Sequence, residues 1–210
     1  MFKKALIASA VLAASTGMAF ANGGTVPPAP HHTHSVYAGV AVSRDFLNYN
    51  ATNGGFKTDI GDSGWNGEVN AGIGWTFQNH YYLAGEIFGA ISSVDAKSSA
   101  GAFGSSSLKA RWSTGIAVIP GIKVTDSTML YGRVGYILTQ FKGSGNALGQ
   151  SASKSKWKSG IQLGLGMEAM VTNNVSARLE YDWNRYGKLG GSNPTIDQVK
   201  LGVEYHFMSA

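Results

Sequence analysis

Residues 65–77, WNGEVNAGIGWTF, decide how this chain is read. Trp65, Gly67, Val69, Ala71, Ile73, Trp75 and Phe77 alternate with Asn66, Glu68, Asn70, Gly72, Gly74 and Thr76, so one face is apolar and the other polar or tiny. A period of two is the pattern of a β-strand whose faces meet different surroundings. Working outward, similar runs occupy residues 36–46, 81–92, 108–124, 129–141, 157–171, 175–186 and 196–207, which makes eight strands. An even number suits an all-β, up-and-down antiparallel barrel. The connections alternate strictly: short turns at 78–80, 125–128 and 172–174, and longer Gly-, Ser- and Asn-rich segments at 47–64, 93–107, 142–156 and 187–195. Short turns on one side and long loops on the other are the asymmetry of an outer-membrane barrel with both termini in the periplasm.

Alternation alone also fits a soluble eight-stranded barrel of the lipocalin kind, with the apolar face turned inward. Composition separates the two. Charged residues make up only 14% of the chain, against roughly 25% in a typical soluble protein. The non-apolar faces hold Gly72, Gly74, Gly115, Gly135, Gly160, Gly164, Gly166 and Gly202, which weaken a solvated strand but make room in a narrow lumen. Aromatic residues gather near the strand ends, with Trp65, Trp112, Trp157 and Trp183 toward the long loops and Phe77, Tyr81, Tyr205 and Phe207 toward the short turns. They read as two interfacial girdles, and the sidedness predicts an eight-stranded transmembrane β-barrel.

The 210 residues allow one domain. Met1, Phe2, Lys3 and Lys4 open a signal peptide over 1–21, with an apolar stretch from Ala5 to Ala14 and an A-x-A site at Ala19, Phe20 and Ala21. A periplasmic lead-in follows over 22–34, then the barrel over 35–207 and a tail over 208–210. Absence of cysteine excludes disulfides and thiolate metal sites. The net charge of +5 falls to +3 without Lys3 and Lys4, too small a bias for nucleic-acid binding.

The signal peptide, the dyad-patterned strands, the run IPGIKVTDSTMLYGRVGY and the closing LGVEYHF resemble the small outer-membrane barrels of the OmpA transmembrane-domain and opacity-protein group. The resemblance covers nearly all of the mature chain. It implies an apolar exterior and a signal for the barrel insertion machinery at Val203, Tyr205 and Phe207, here followed by Met208, Ser209 and Ala210. The peptidoglycan-binding domain of longer OmpA-type proteins is not expected.

With the apolar face toward lipid, the inward set comprises Glu68, Glu86, Lys109, Arg111, Arg133, Lys158, Glu168, Arg178, Glu180, Asp182, Lys200 and Glu204, with both signs in similar numbers. An interior just wide enough for side chains calls for a paired plug, because an unpaired buried charge is costly. A gated ion path is the alternative. A lipid A-modifying enzyme is a further reading, since small barrels of that activity resemble this scaffold and carry a histidine with a serine near the extracellular rim. Here His31, His32, His34, His80 and His206 all fall on the periplasmic side or in the lead-in, so no catalytic residue, cofactor or metal is assigned. His31, His32 and His34 form a cluster able to bind zinc, copper or nickel, but it reads more simply as a polar leader. Lys142, Lys154, Lys156 and Lys188, in or beside the long loops, are candidate contacts for lipopolysaccharide phosphates. The functional expectation is a non-enzymatic barrel in outer-membrane lipid whose loops serve envelope integrity, adhesion or host contact.

Overall fold

The computed structural model describes residues 34–53, 56–78, 80–93, 95–99, 105–147, 150–187 and 194–207. Residues 1–33, which include the expected signal peptide with His31 and His32, and Lys188 and residues 208–210 lie outside them. The strands are β1 (His34–Asn53), β2 (Phe56–Phe77), β3 (Tyr81–Ser92), β4 (Asp95–Ser99), β5 (Ser105–Lys123), β6 (Thr128–Ala147), β7 (Gln150–Met170), β8 (Val175–Tyr186) and β9 (Thr195–Phe207). Each pairs antiparallel with its neighbours. The first and last strands close the sheet, Val36 lying opposite Phe207 and Asn48 opposite Thr195. The short β4 continues the edge of β3 along β5, so nine strands form eight staves of a barrel without an open edge.

The exterior is apolar. On β2 the odd positions from Trp65 to Phe77 lie outside, with Trp65 61% and Phe77 51% exposed, while Asn66, Glu68 and Asn70 are buried. Those end positions are separated by ~40 Å of strand, which at 35–45° of tilt spans roughly 30 Å of height, enough for an outer-membrane hydrocarbon layer with its girdles. Trp112 and Trp157 lie at the level of Trp65, and Tyr81, Tyr205 and Phe207 at the level of Phe77, all exposed. Trp183 is half-buried.

Two expectations need correction. Pairing does not stop at Phe46 and Trp65: it runs up the hairpin to Asn53 opposite Phe56, and in β6 and β7 to Ala147 opposite Gln150. Residues 47–64 and 142–156 are therefore strand for most of their length. Above the lipid no face needs to be apolar, so hydrophobic alternation ends while backbone pairing continues. The second concerns Arg111. The ladder between β5 and β6 slips between Ala110 and Trp112, leaving Arg111 without an opposite residue. This bulge resets the alternation, and Arg111 is exposed beside Trp112 instead of pointing inward.

Inward glycines lie against large inward side chains. Gly72 is opposite Tyr37, Gly166 opposite Tyr131, Gly115 opposite Phe88 and Gly160 opposite Tyr186. A Cβ at any of these would meet the facing ring. The space is thus shared between strands, one giving up its side chain so that the next can fill the lumen.

Candidate functional site

The lumen is layered. At the hairpin end Leu47, Phe88, Ala117, Ile137, Phe141, Tyr186 and Ile196 pack together, and at the short-turn end so do Tyr37, Tyr82, Ala84, Ile119, Met129 and Tyr131. Sequence reasoning missed these two apolar clusters, because their members sit singly among polar neighbours on each strand. Parity was the available signal: Tyr37 shares the inward face of β1 with Ala41, Ser43 and Asp45.

Between them lies a buried charge network. Arg133 of β6 donates to Glu86 of β3, to Glu180 of β8 at 3.3 Å and, through Nε, to Gln162 at 3.0 Å. Arg178 of β8 reaches Glu86 at 2.9 Å, Glu168 of β7 at 3.1 Å and Glu204 of β9 at 2.7 Å. Its guanidinium also lies over the rings of Tyr37 and Tyr131, at 5.5 and 5.0 Å. Lys200 of β9 binds Glu68 of β2 at 3.0 Å, Glu180 at 3.1 Å and Asp182 at 2.9 Å. The tyrosines add donors, Tyr37 to Glu86 at 3.0 Å and Tyr131 to Glu180 at 2.9 Å. Toward the hairpin end Asp45 accepts from Ser43, Asn66 and Gln198.

Glu68, Glu86, Arg133, Glu168, Arg178, Glu180, Lys200 and Glu204 are all at most 7% exposed and converge in this layer. Arg111 does not join it. The expected balance of signs also changes: Lys158 is half-buried and the Lys109 side chain lies outside the described residues. Buried carboxylates are Asp45, Glu68, Glu86, Glu168, Glu180, Asp182, Asp197 and Glu204, against Arg133, Arg178 and Lys200. Asp197 shares the outward parity of Val199 and accepts from Tyr181 there, so seven of these carboxylates and three cations face the described lumen, an excess of acid.

The remaining candidates are spread over the surface. Val203, Tyr205 and Phe207 face outward on β9, each about half exposed. Lys156 is exposed and Lys142 half-buried near the hairpin end, while Lys154 lies on β7 with its side chain outside the described residues. His34 is exposed at the start of β1 with its ring 6.5 Å from Trp75, and His80 is exposed in a turn. His206 is the one described histidine in contact with the network, 3.0 Å from Glu168 Oε1 and 3.0 Å from Ser176 Oγ.

A closed sheet that turns its large hydrophobic side chains outward and its carboxylates inward is an outer-membrane β-barrel. The chain belongs to the outer membrane protein beta-barrel domain family, which matches residues 7–207. Among solved structures it is similar to Neisserial surface protein A, with a TM-score of 0.53 and 17% identity over 84% of this chain and 100% of that one. It is also similar to a major outer membrane protein from Thermus thermophilus, with a TM-score of 0.52 and 11% identity over 81% and 99%. Ail, the attachment invasion locus protein of Yersinia pestis, aligns at a TM-score of 0.47 and 16% identity over 81% and 98%. At these identities the first two show a shared fold and nothing more. No curated protein matches in sequence. The family assigns the chain to the outer membrane.

Proposed function

We propose that this protein is a non-catalytic outer-membrane barrel that holds both termini in the periplasm and presents its long hairpins at the cell surface, where they serve envelope integrity, adhesion or host contact. The observation that carries this reading is the pair of hairpins continuing past the apolar band. From Arg44, opposite Trp65, β1 and β2 remain paired to Asn53 and Phe56, and from Gln140, opposite Trp157, β6 and β7 remain paired to Ala147 and Gln150. At ~3.3 Å per residue the β1–β2 hairpin continues for roughly 30 Å of strand beyond its tryptophan. A paired ribbon of that length is a presenting surface rather than a connection.

The interior supports a non-catalytic role. Its cations are each held by two or more carboxylates, and the described histidines His34, His80 and His206 stand at the short-turn end, away from the hairpins. In this reading Lys142, Lys154, Lys156 and Lys188 meet lipopolysaccharide phosphates, and Val203, Tyr205 and Phe207 are read by the insertion machinery as the chain is assembled. The test replaces residues 49–60 by a short Gly/Ser turn in cells displaying the protein. Adhesion to host cells should fall while barrel assembly is retained. Lipid A in mixed micelles should keep its acyl chains, and transfer or loss of a chain, abolished by substituting one rim serine, would overturn the reading.

A further inference from the structure

At the short-turn mouth Glu168 of β7 and Glu204 and His206 of β9 bring one ligand atom each to within 4.8 Å of one another. Arg178 binds only one oxygen of each carboxylate, Glu168 Oε2 at 3.1 Å and Glu204 Oε1 at 2.7 Å. Asn70 donates to the same Glu204 oxygen at 3.2 Å. The other two oxygens are not engaged by the arginine: Glu168 Oε1 faces His206 Nε2 at 3.0 Å, and Glu204 Oε2 is buried with no hydrogen-bond partner, on a residue only 1% exposed. An imidazole nitrogen and two buried carboxylates within 4.8 Å of one another, one of the carboxylates with an unpartnered oxygen, are the donor set of a cation site. Charge points the same way, because Glu168 and Glu204 share the single positive charge of Arg178, which also serves Glu86.

We propose that Glu168, Glu204 and His206 bind a divalent first-row transition cation of the zinc class. One imidazole and two carboxylates suit such an ion, and a water can take the fourth position. A tetrahedral ion with ligands at about 2.0–2.1 Å sets its donors about 3.3 Å apart. The His206–Glu168 pair, at 3.0 Å, is already near that spacing, and Glu204 closes the remainder. Arg178 fixes the outer oxygens of both carboxylates, which orients the inner ones. A cavity of about 90 Å³ at the short-turn mouth, lined by Tyr82, Lys123, Asp126, Met129, Glu168 and His206, gives the ion its entry to Glu168 and His206, with Glu204 behind them. Bound there, it ties β7 to β9 across β8 and offsets part of the acidic interior.

The test uses the mature chain refolded in detergent micelles, stripped with chelator and carrying His31→Ala, His32→Ala and His34→Ala, so that the leader contributes no ligand. Calorimetric titration with Zn²⁺ alone should give one equivalent, weakened at least about tenfold by His206→Gln and by Glu204→Gln. No binding, or binding that neither substitution alters, overturns the proposal. Since either variant can fail to assemble, zinc-edge X-ray absorption on the protein that keeps all three ligands gives an independent answer. One imidazole among N/O ligands supports the site, and a shell of oxygen alone overturns it.

Discussion

Removing the Arg133 side chain leaves fully buried Glu86 to Arg178 and fully buried Glu180 to Lys200, cations that other buried carboxylates already share. We expect Arg133→Ala to destabilise the refolded barrel by roughly 3–5 kcal/mol, measured by denaturant titration in micelles, because two buried carboxylates lose a cation and the remaining two cations must serve the whole layer. Arg111→Ala should produce no measurable change, since the bulge places that guanidinium outside. Strand parity put both arginines in the lumen, and nothing in the local sequence marks the slip that separates them. The glycines were more legible. Gly72→Ala should cost about 1–3 kcal/mol in the same assay, because its Cβ would overlap the Tyr37 ring and Tyr37 is 1% exposed, with no room to retreat.

At the scale of elements, β3 and β8 coincide with their sequence-predicted spans because apolar alternation covers their whole length. β1, β2, β6 and β7 outrun theirs, since alternation reports contact with lipid and these ribbons leave it. The distinction decides where a hairpin can be cut. Leu47, within the predicted loop, is 3% exposed and packs with Ile196 in the hairpin-end cluster. A replacement starting at residue 47 removes part of that seal, whereas one confined to residues 49–60 leaves it. The shorter cut should keep denaturant stability nearly unchanged, as loop length affects closure only weakly. Leu47→Ala alone should lower it by about 2–5 kcal/mol, the usual cost of emptying a buried leucine site.

For the molecule as a whole, closure leaves no strand edge within the barrel band from which unfolding can start. The folded protein should migrate as a compact species in unboiled gel samples and more slowly after boiling, and a single mobility would contradict a closed barrel. Planar bilayers containing it should show low conductance, because two apolar clusters bracket a charged layer that fills the lumen. Sequence made the barrel legible through its exterior, where lipid imposes one requirement on every strand. The interior was legible only as a list of inward charges. Which carboxylate meets which cation depends on register across non-neighbouring strands, as with Arg133 of β6 and Glu86 of β3, and no local pattern records it.

The seam between β1 and β9 has a consequence for assembly. Lys200 stands on β9, yet it holds Glu68 on β2 as well as Glu180 and Asp182 on β8. Gln198, on the same strand, reaches Asp45 on β1 at 2.9 Å. Joining β9 to β1 is therefore the same event that brings Lys200 to Glu68 and Gln198 to Asp45. Closure of the sheet and pairing of its interior are thus one cooperative event, and neither is complete without the other.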